Sequence, residues 1–203
     1  MLLSEGQHWY RDRSLRLSDG SIRGEVDGFS WLLFDRFTPD TPPALPALAE
    51  QMGVWEGTFR RYDAEGGLQE SFAITVVQRL EARDGRWLYS QKSLYRETAS
   101  GSRWIETSGE ILEGRLHFQS DRVRGWAMDV PDAPGTTLLL LESLDGSGLQ
   151  MQEVSQLVDG GSRRLRTTQI FREGRLVGRS HIDEQKTSDD PLTWTPPPDQ
   201  AEG

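Results

Sequence analysis

Between Gly53 and Gln185 apolar and polar residues alternate in short runs, and no run shows the three-to-four-residue spacing of an amphipathic helix. In the run Leu68 to Leu80, Phe72, Ile74 and Val76 fall on one face; in Arg86 to Glu97, Trp87, Tyr89 and Tyr95 do the same. Further strands are expected over Gly53 to Tyr62, Arg103 to Leu112, Arg115 to Ser120, Val123 to Val130, Thr136 to Ser143, Leu149 to Val158, Ser162 to Arg172 and Arg175 to Gln185. Between them stand turn signals such as Asp63-Ala64-Glu65-Gly66-Gly67, Arg83-Asp84-Gly85, Asp145-Gly146-Ser147-Gly148 and Glu173-Gly174. About ten strands at a spacing of roughly 10–14 residues imply an all-β protein. Short connections favour a meander in which each strand pairs with the next. A flat sheet of this kind leaves two unpaired edges and closure removes both, so an antiparallel up-and-down barrel is expected rather than a sandwich.

Around this region the pattern changes. Residues 1–37 read as an aromatic-rich β-hairpin extension turning at Ser18-Asp19-Gly20-Ser21, and residues 38–46 as a proline-rich linker. Ala44 to Met52 carries Leu45, Leu48 and Met52 at helical spacing, which predicts a short helix stopped by Gly53. The barrel proper is expected over residues 47–186. Residues 187–203 form a polar tail with Pro191 and Pro196-Pro197-Pro198, in which Trp194 alone has the apolar area to dock it.

The run Gly53-Val54-Trp55, entering the first barrel strand directly after the helix, resembles the Gly-x-Trp signature of lipocalins. That resemblance implies a structural Gly53, a Trp55 packed at the closed base, and an arginine from a late strand lying across the indole; Arg164 or Arg166 is placed for it. The run Gly53-Val54-Trp55-Glu56-Gly57-Thr58-Phe59, with Arg164 to Phe171 and Ile182-Asp183-Glu184-Gln185, resembles an uncharacterised lipocalin-like (calycin) family of cyanobacteria and plastids, the domain of unknown function 3598 family. The S- and T-type phycobiliprotein chromophore lyases are more distantly similar. The resemblance implies a fold, not an activity.

Charge narrows the partners. The chain has 203 residues and a formal net charge of −9 from 32 acidic and 23 basic residues, so a phosphate backbone is repelled and nucleic acid is not expected as a partner. There is no cysteine, which removes disulfides, thiolate metal sites and a cysteine nucleophile. No apolar run reaches the length of a membrane span or a signal peptide, and a soluble, cytoplasmic protein is expected.

The candidate chemistry is sparse. His8, His117 and His181 are scattered, with no metal-ligand spacing, and no cofactor is implied. Leu149, Met151, Glu153, Ser155 and Leu157 share a strand face. If it points inward, Glu153 is a carboxylate in an apolar wall, with its pKa raised by burial and suited to acid–base work or to gripping a ligand. The competing reading is an internal ion pair with Arg166. His181, on the last strand, is the other acid–base candidate, if its face is the inner one. Trp55, Tyr89, Arg166 and Gln169 complete the expected ligand-binding set.

Three functions are consistent with this pattern. The barrel encloses a hydrophobic or amphipathic small molecule such as a tetrapyrrole, carotenoid or lipid-like ligand. Alternatively, the N-terminal unit and the tail engage a protein partner in an assembly role. A third reading is a chromophore lyase, isomerase or cyclase on the same scaffold.

Overall fold

A computed structural model describes residues 45–98 and 101–194, together with the backbone of Leu15–Arg16, Ile22–Val26 and Phe29–Leu33. Those three short strands pair antiparallel in that order within a separate unit, Met1–Thr41. The turn Ser18-Asp19-Gly20-Ser21, most of the expected linker and residues beyond Trp194 lie outside the described residues.

The alternating region forms ten strands: β1 (Gly53–Asp63), β2 (Leu68–Arg83), β3 (Arg86–Thr98), β4 (Gly101–Leu112), β5 (Arg115–Gln119), β6 (Val123–Asp129), β7 (Thr136–Ser143), β8 (Leu149–Val158), β9 (Arg163–Arg172) and β10 (Arg175–Ser188). Each pairs antiparallel with the next. β10 then pairs back onto β1, with Lys186 opposite Trp55 and Ile182 opposite Phe59, which closes the barrel. The expected meander and its closure are both present.

One end of the barrel is stoppered by helix α1 (Pro46–Glu50), shorter than the span expected from its leucines. Pro46, assigned to the linker on sequence, opens the helix instead. Its fixed φ suits a first helical residue, whose N–H has no intrahelical partner in any case. Leu45 supplies no side-chain cap. Asp129, at the end of β6, does so from across the barrel, accepting from the N–H groups of Ala47 at 2.7 Å and Leu48 at 3.1 Å. Leu45 and Leu48 then pack into a buried cluster with Tyr89, Ile111, Leu116 and Phe118.

The turn from α1 into β1 explains the glycine of the Gly-x-Trp run. Gly53 has φ +126°, and a Cβ there would stand 2.3 Å from the carbonyl oxygen of Ser188. Only a residue without a side chain fits both demands.

At the other end of the chain β10 runs on to Ser188, past the expected stop at Gln185. A single 3-10 turn, Pro191–Thr193, follows and lies against β2. Trp194 meets Trp104 edge-on, with ring centroids 5.1 Å apart. Val54, Val77 and Leu94 point outward from β1–β3 yet are buried, so this part of the outer wall carries apolar packing of its own.

Candidate functional site

Inward side chains leave a cavity of about 280 Å³ inside the barrel. Its wall is two-sided. Leu116 and Phe118 from β5, Ala127 from β6, and Leu139 and Leu141 from β7 form an apolar half. Gln91 and Ser93 from β3, Glu153 from β8, Arg166 and Thr168 from β9 and Ser180 from β10 form a polar half. Leu48 and Gln51 close the α1 end; Gln51 donates to Thr137 Oγ1 at 3.2 Å and accepts from Ser155 Oγ at 2.9 Å. At the opposite end the exposed Arg103 and Ile105, near the start of β4, stand at the rim.

The polar half is built on ion pairs. Arg166 donates through Nε to Glu153 Oε1 at 2.9 Å and through Nη2 to Oε2 at 3.2 Å, while Thr168 Oγ1 donates to Oε2 at 2.8 Å. Beneath it, Arg164 Nε donates to Glu184 Oε2 at 2.7 Å, and Arg166 Nη1 lies 3.6 Å from Glu184 Oε1. Burial is the largest influence on the Glu153 carboxyl and acts to raise its pKa. The Arg166 charge and the hydrogen bonds from Arg166 and Thr168 outweigh it, leaving the pKa below the usual carboxylate range. Burial likewise dominates at Arg164 and lowers its pKa, with Glu184 opposing; at Arg166 the charges of Glu153 and Glu184 overcome burial and raise it. The two carboxylates and two guanidinium groups thus stand within ion-pair distance of one another, and their formal charges cancel.

Arg164 also covers Trp55, its guanidinium carbon 4.4 Å from the ring centroid. Trp55 Nε1 donates to the carbonyl of Gln51 at 2.8 Å, which ties the fully buried indole to the end of α1. A hydrogen-bonded chain leads from here into the cavity. Arg164 donates to Gln78 Oε1, Gln78 Nε2 donates to the Tyr89 hydroxyl at 2.6 Å, and that hydroxyl donates to Gln91 Oε1 at 2.7 Å. Burial pushes the Tyr89 pKa up to about 12.

No family model matches the chain, nor does any curated protein. Solved structures do. A protein of unknown function from the DUF3598 family of Nostoc punctiforme superposes with a TM-score of 0.51 and 16% identity, over 86% of this chain and 74% of that one. An S-type phycobiliprotein lyase from Guillardia theta does so with a TM-score of 0.53 and 13% identity, over 68% of this chain and 88% of that one. The barrel shares its fold with both. At such identities the likeness concerns backbone architecture alone.

Within this ten-stranded barrel the expected site residues separate by face. Glu153, Arg166 and Tyr89 come together at the cavity, and Glu153 is in the ion pair that was its alternative reading rather than holding a raised pKa. Of the two arginines offered for the indole, Arg164 covers it. Trp55 is sealed behind the cavity and does not line it.

Two expectations are corrected. Gln169 is exposed on the outer face, because β9 pairs without a bulge from Arg163 to Ile170 and side chains of opposite parity cannot share a face; with Arg166 inside, Thr168 is the cavity residue. His181 is also exposed outside, its ring 5.2 Å from that of Tyr62, because Ser180, Ile182 and Glu184 take the inner face of β10.

Gln51, Thr168, Ser180 and Arg103 belong to the cavity and were not anticipated. Parity with Arg164 identifies Thr168, but nothing local marks Gln51, which reaches the barrel from the helix. Among the described residues no three His, Cys, Asp or Glu side chains gather into a cluster fit for a metal ion. No helix among them is long and apolar enough to cross a membrane.

Proposed function

We propose that the barrel binds a small amphipathic molecule in its interior. The uneven cavity wall carries this reading: β5 to β7 supply mainly carbon, while most of the hydrogen-bonding groups, among them the Arg166–Glu153 ion pair, stand on the opposite side. Pockets of this character, mostly apolar with a few fixed polar groups, are the general form of small-molecule sites. Size limits the ligand. Such pockets start at roughly 300 Å³, so a cavity of about 280 Å³ takes a small molecule or one end of a larger one. A tetrapyrrole or carotenoid would extend past the rim at Arg103 and Ile105.

Glu153, Arg166, Thr168 and Gln91 orient the ligand in this reading, and Tyr89 holds Gln91. The lyase, isomerase or cyclase reading is weaker: Glu153 is committed to Arg166 and Thr168, and His181 lies outside.

The uncharged fluorophore phenylnaphthylamine tests the site directly. Its emission should rise and saturate at one equivalent with the native protein, and Met151→Trp, which fills the cavity beside Glu153, should abolish the signal while leaving the β-sheet circular dichroism intact. Undiminished binding to the filled variant would place the probe elsewhere, such as the groove beside α1 lined by Met52, Leu157 and Lys186.

A further inference from the structure

Two guanidinium groups and two carboxylates stand on the polar side of the barrel interior, Arg164, Arg166, Glu153 and Glu184. Each lies within ion-pair distance of an opposite formal charge, although Arg164 Nη2, Arg166 Nη1 and Glu184 Oε1 have no hydrogen-bond partner. Arg166 and Glu153 are bidentate partners, each with 11% of its side chain exposed. Arg164 and Glu184 are paired at 2.7 Å with no exposure at all. Their formal charges sum to zero, and the wall facing them is mainly apolar. A ligand that brings a charge here adds a fifth ion with no counter-charge available, and an unpaired buried ion is far costlier than a neutral polar group that finds a hydrogen bond. Neutral polar groups line the cavity as well: Ser180 and Tyr95 contribute hydroxyls, the Thr168 hydroxyl, which donates to Glu153, can still accept, and the Gln91 amide, which donates to Ser93, has a second N–H to give. Arg103 is the remaining charge near the cavity. It is exposed at the rim over the Tyr95 ring, at 5.3 Å, where solvent screens it.

We infer that the cavity selects uncharged, hydrogen-bonding amphiphiles, those whose polar end is a hydroxyl, amide or lactam, and rejects carboxylates and amines of the same shape. The inference rests on the barrel being a small-molecule site.

Four ligands of one chain length separate the outcomes: octanol, octanamide, octanoate and octylammonium, titrated at pH 7 by displacement of phenylnaphthylamine. Octanol and octanamide should bind at least about tenfold more tightly than either ion. Glu153→Gln removes one negative charge and leaves the interior with a net positive one. In that variant octanoate should overtake octanol, while octylammonium stays weak. Equal binding of all four to the native protein overturns the inference and leaves the small-molecule reading standing. Binding of none overturns the reading itself. Octanoate binding best to the native protein, and losing its advantage in Arg103→Gln, would also overturn the inference by placing the polar end at the rim. The ranking on the native protein decides the matter even if Glu153→Gln fails to fold.

Discussion

Arg164 lies across Trp55 at the closed end of the barrel, its guanidinium carbon 4.4 Å from the ring centroid, and neither side chain is exposed. The contact joins the first strand to the ninth through the interior. It also leaves Arg164 in the same hydrogen-bonded group as Glu184 and Gln78. The closed base is thus electrostatic as well as apolar.

Removing one ion of that base strands the other. Arg164→Met should cost about 3–5 kcal/mol in urea unfolding, because Glu184 stays buried without its main partner. The double variant Arg164→Met with Glu184→Leu should recover most of the loss, since no uncompensated charge remains. A double variant as unstable as the single one would mean that the cation on the indole, rather than the ion pair, dominates.

Much of this architecture was readable from alternation. Phe72, Ile74 and Val76 on β2 and Trp87, Tyr89 and Tyr95 on β3 share the faces their spacing assigns, and the turn signals between Asp63 and Gly174 bound the strands to within a few residues. The inner face of each strand was less readable. On β9 and β10 polar residues occupy both faces, so composition could not choose between Thr168 and Gln169, or between Ser180 and His181. Fixing one residue settles the phase: Arg164 against Trp55 carries Arg166 and Thr168 inward with it. Contacts with no local signal stayed hidden, among them Asp129 capping α1 and Gln51 reaching Thr137 and Ser155. These depend on closure, which brings residues more than eighty positions apart together.

The Glu153 carboxyl gives the fold an acid limit. Its folded pKa is depressed, so the unfolded chain takes up this proton at a higher pH than the native barrel. The stability it contributes is fully present above the ordinary carboxylate pKa of about 4.3 and is lost as pH falls through the lower folded value. Unfolding free energy should drop through this range, and Glu153→Gln should flatten that part of the profile. A profile of unchanged slope in the variant would assign the acid limit to other carboxylates.

Tyr89 sets a limit at the opposite end. Its hydroxyl is buried between Gln78 and Gln91 and its pKa is raised from 10.0 to about 12, so the native state holds this proton after the unfolded chain has released it. The corresponding stability is complete below pH 10 and disappears as pH rises through about 12. In a tyrosinate titration followed near 295 nm, Tyr89→Phe should remove a late-titrating component. Its loss should cost about 1–3 kcal/mol near neutrality, because Gln78 and Gln91 lose a buried partner. If the late component survives, the buried hydroxyl that it reports is Tyr95, whose pKa burial also raises.

Closure itself can be tested at Gly57, where the first and last strands meet opposite Glu184. A Cβ at this position would stand 2.0 Å from the carbonyl oxygen of Asp183 and 2.7 Å from the Glu184 Cα, both backbone atoms of β10 that cannot swing aside. Gly57→Ala must therefore push the two strands apart, and the displacement reaches Glu184 and through it Arg164. We expect a loss of at least about 2 kcal/mol, with hydrogen exchange accelerated first at amides of β1 and β10. Gly66→Ala is the fitting control. Gly66 has a positive φ of 96° but nothing within 4 Å of the added methyl, so that substitution bears backbone strain alone and should cost roughly 1 kcal/mol. If Gly57→Ala were no more destabilising than Gly66→Ala, with exchange unchanged along β1 and β10, the two strands would not be held as closely as the ladder between Gly57 and Glu184 requires.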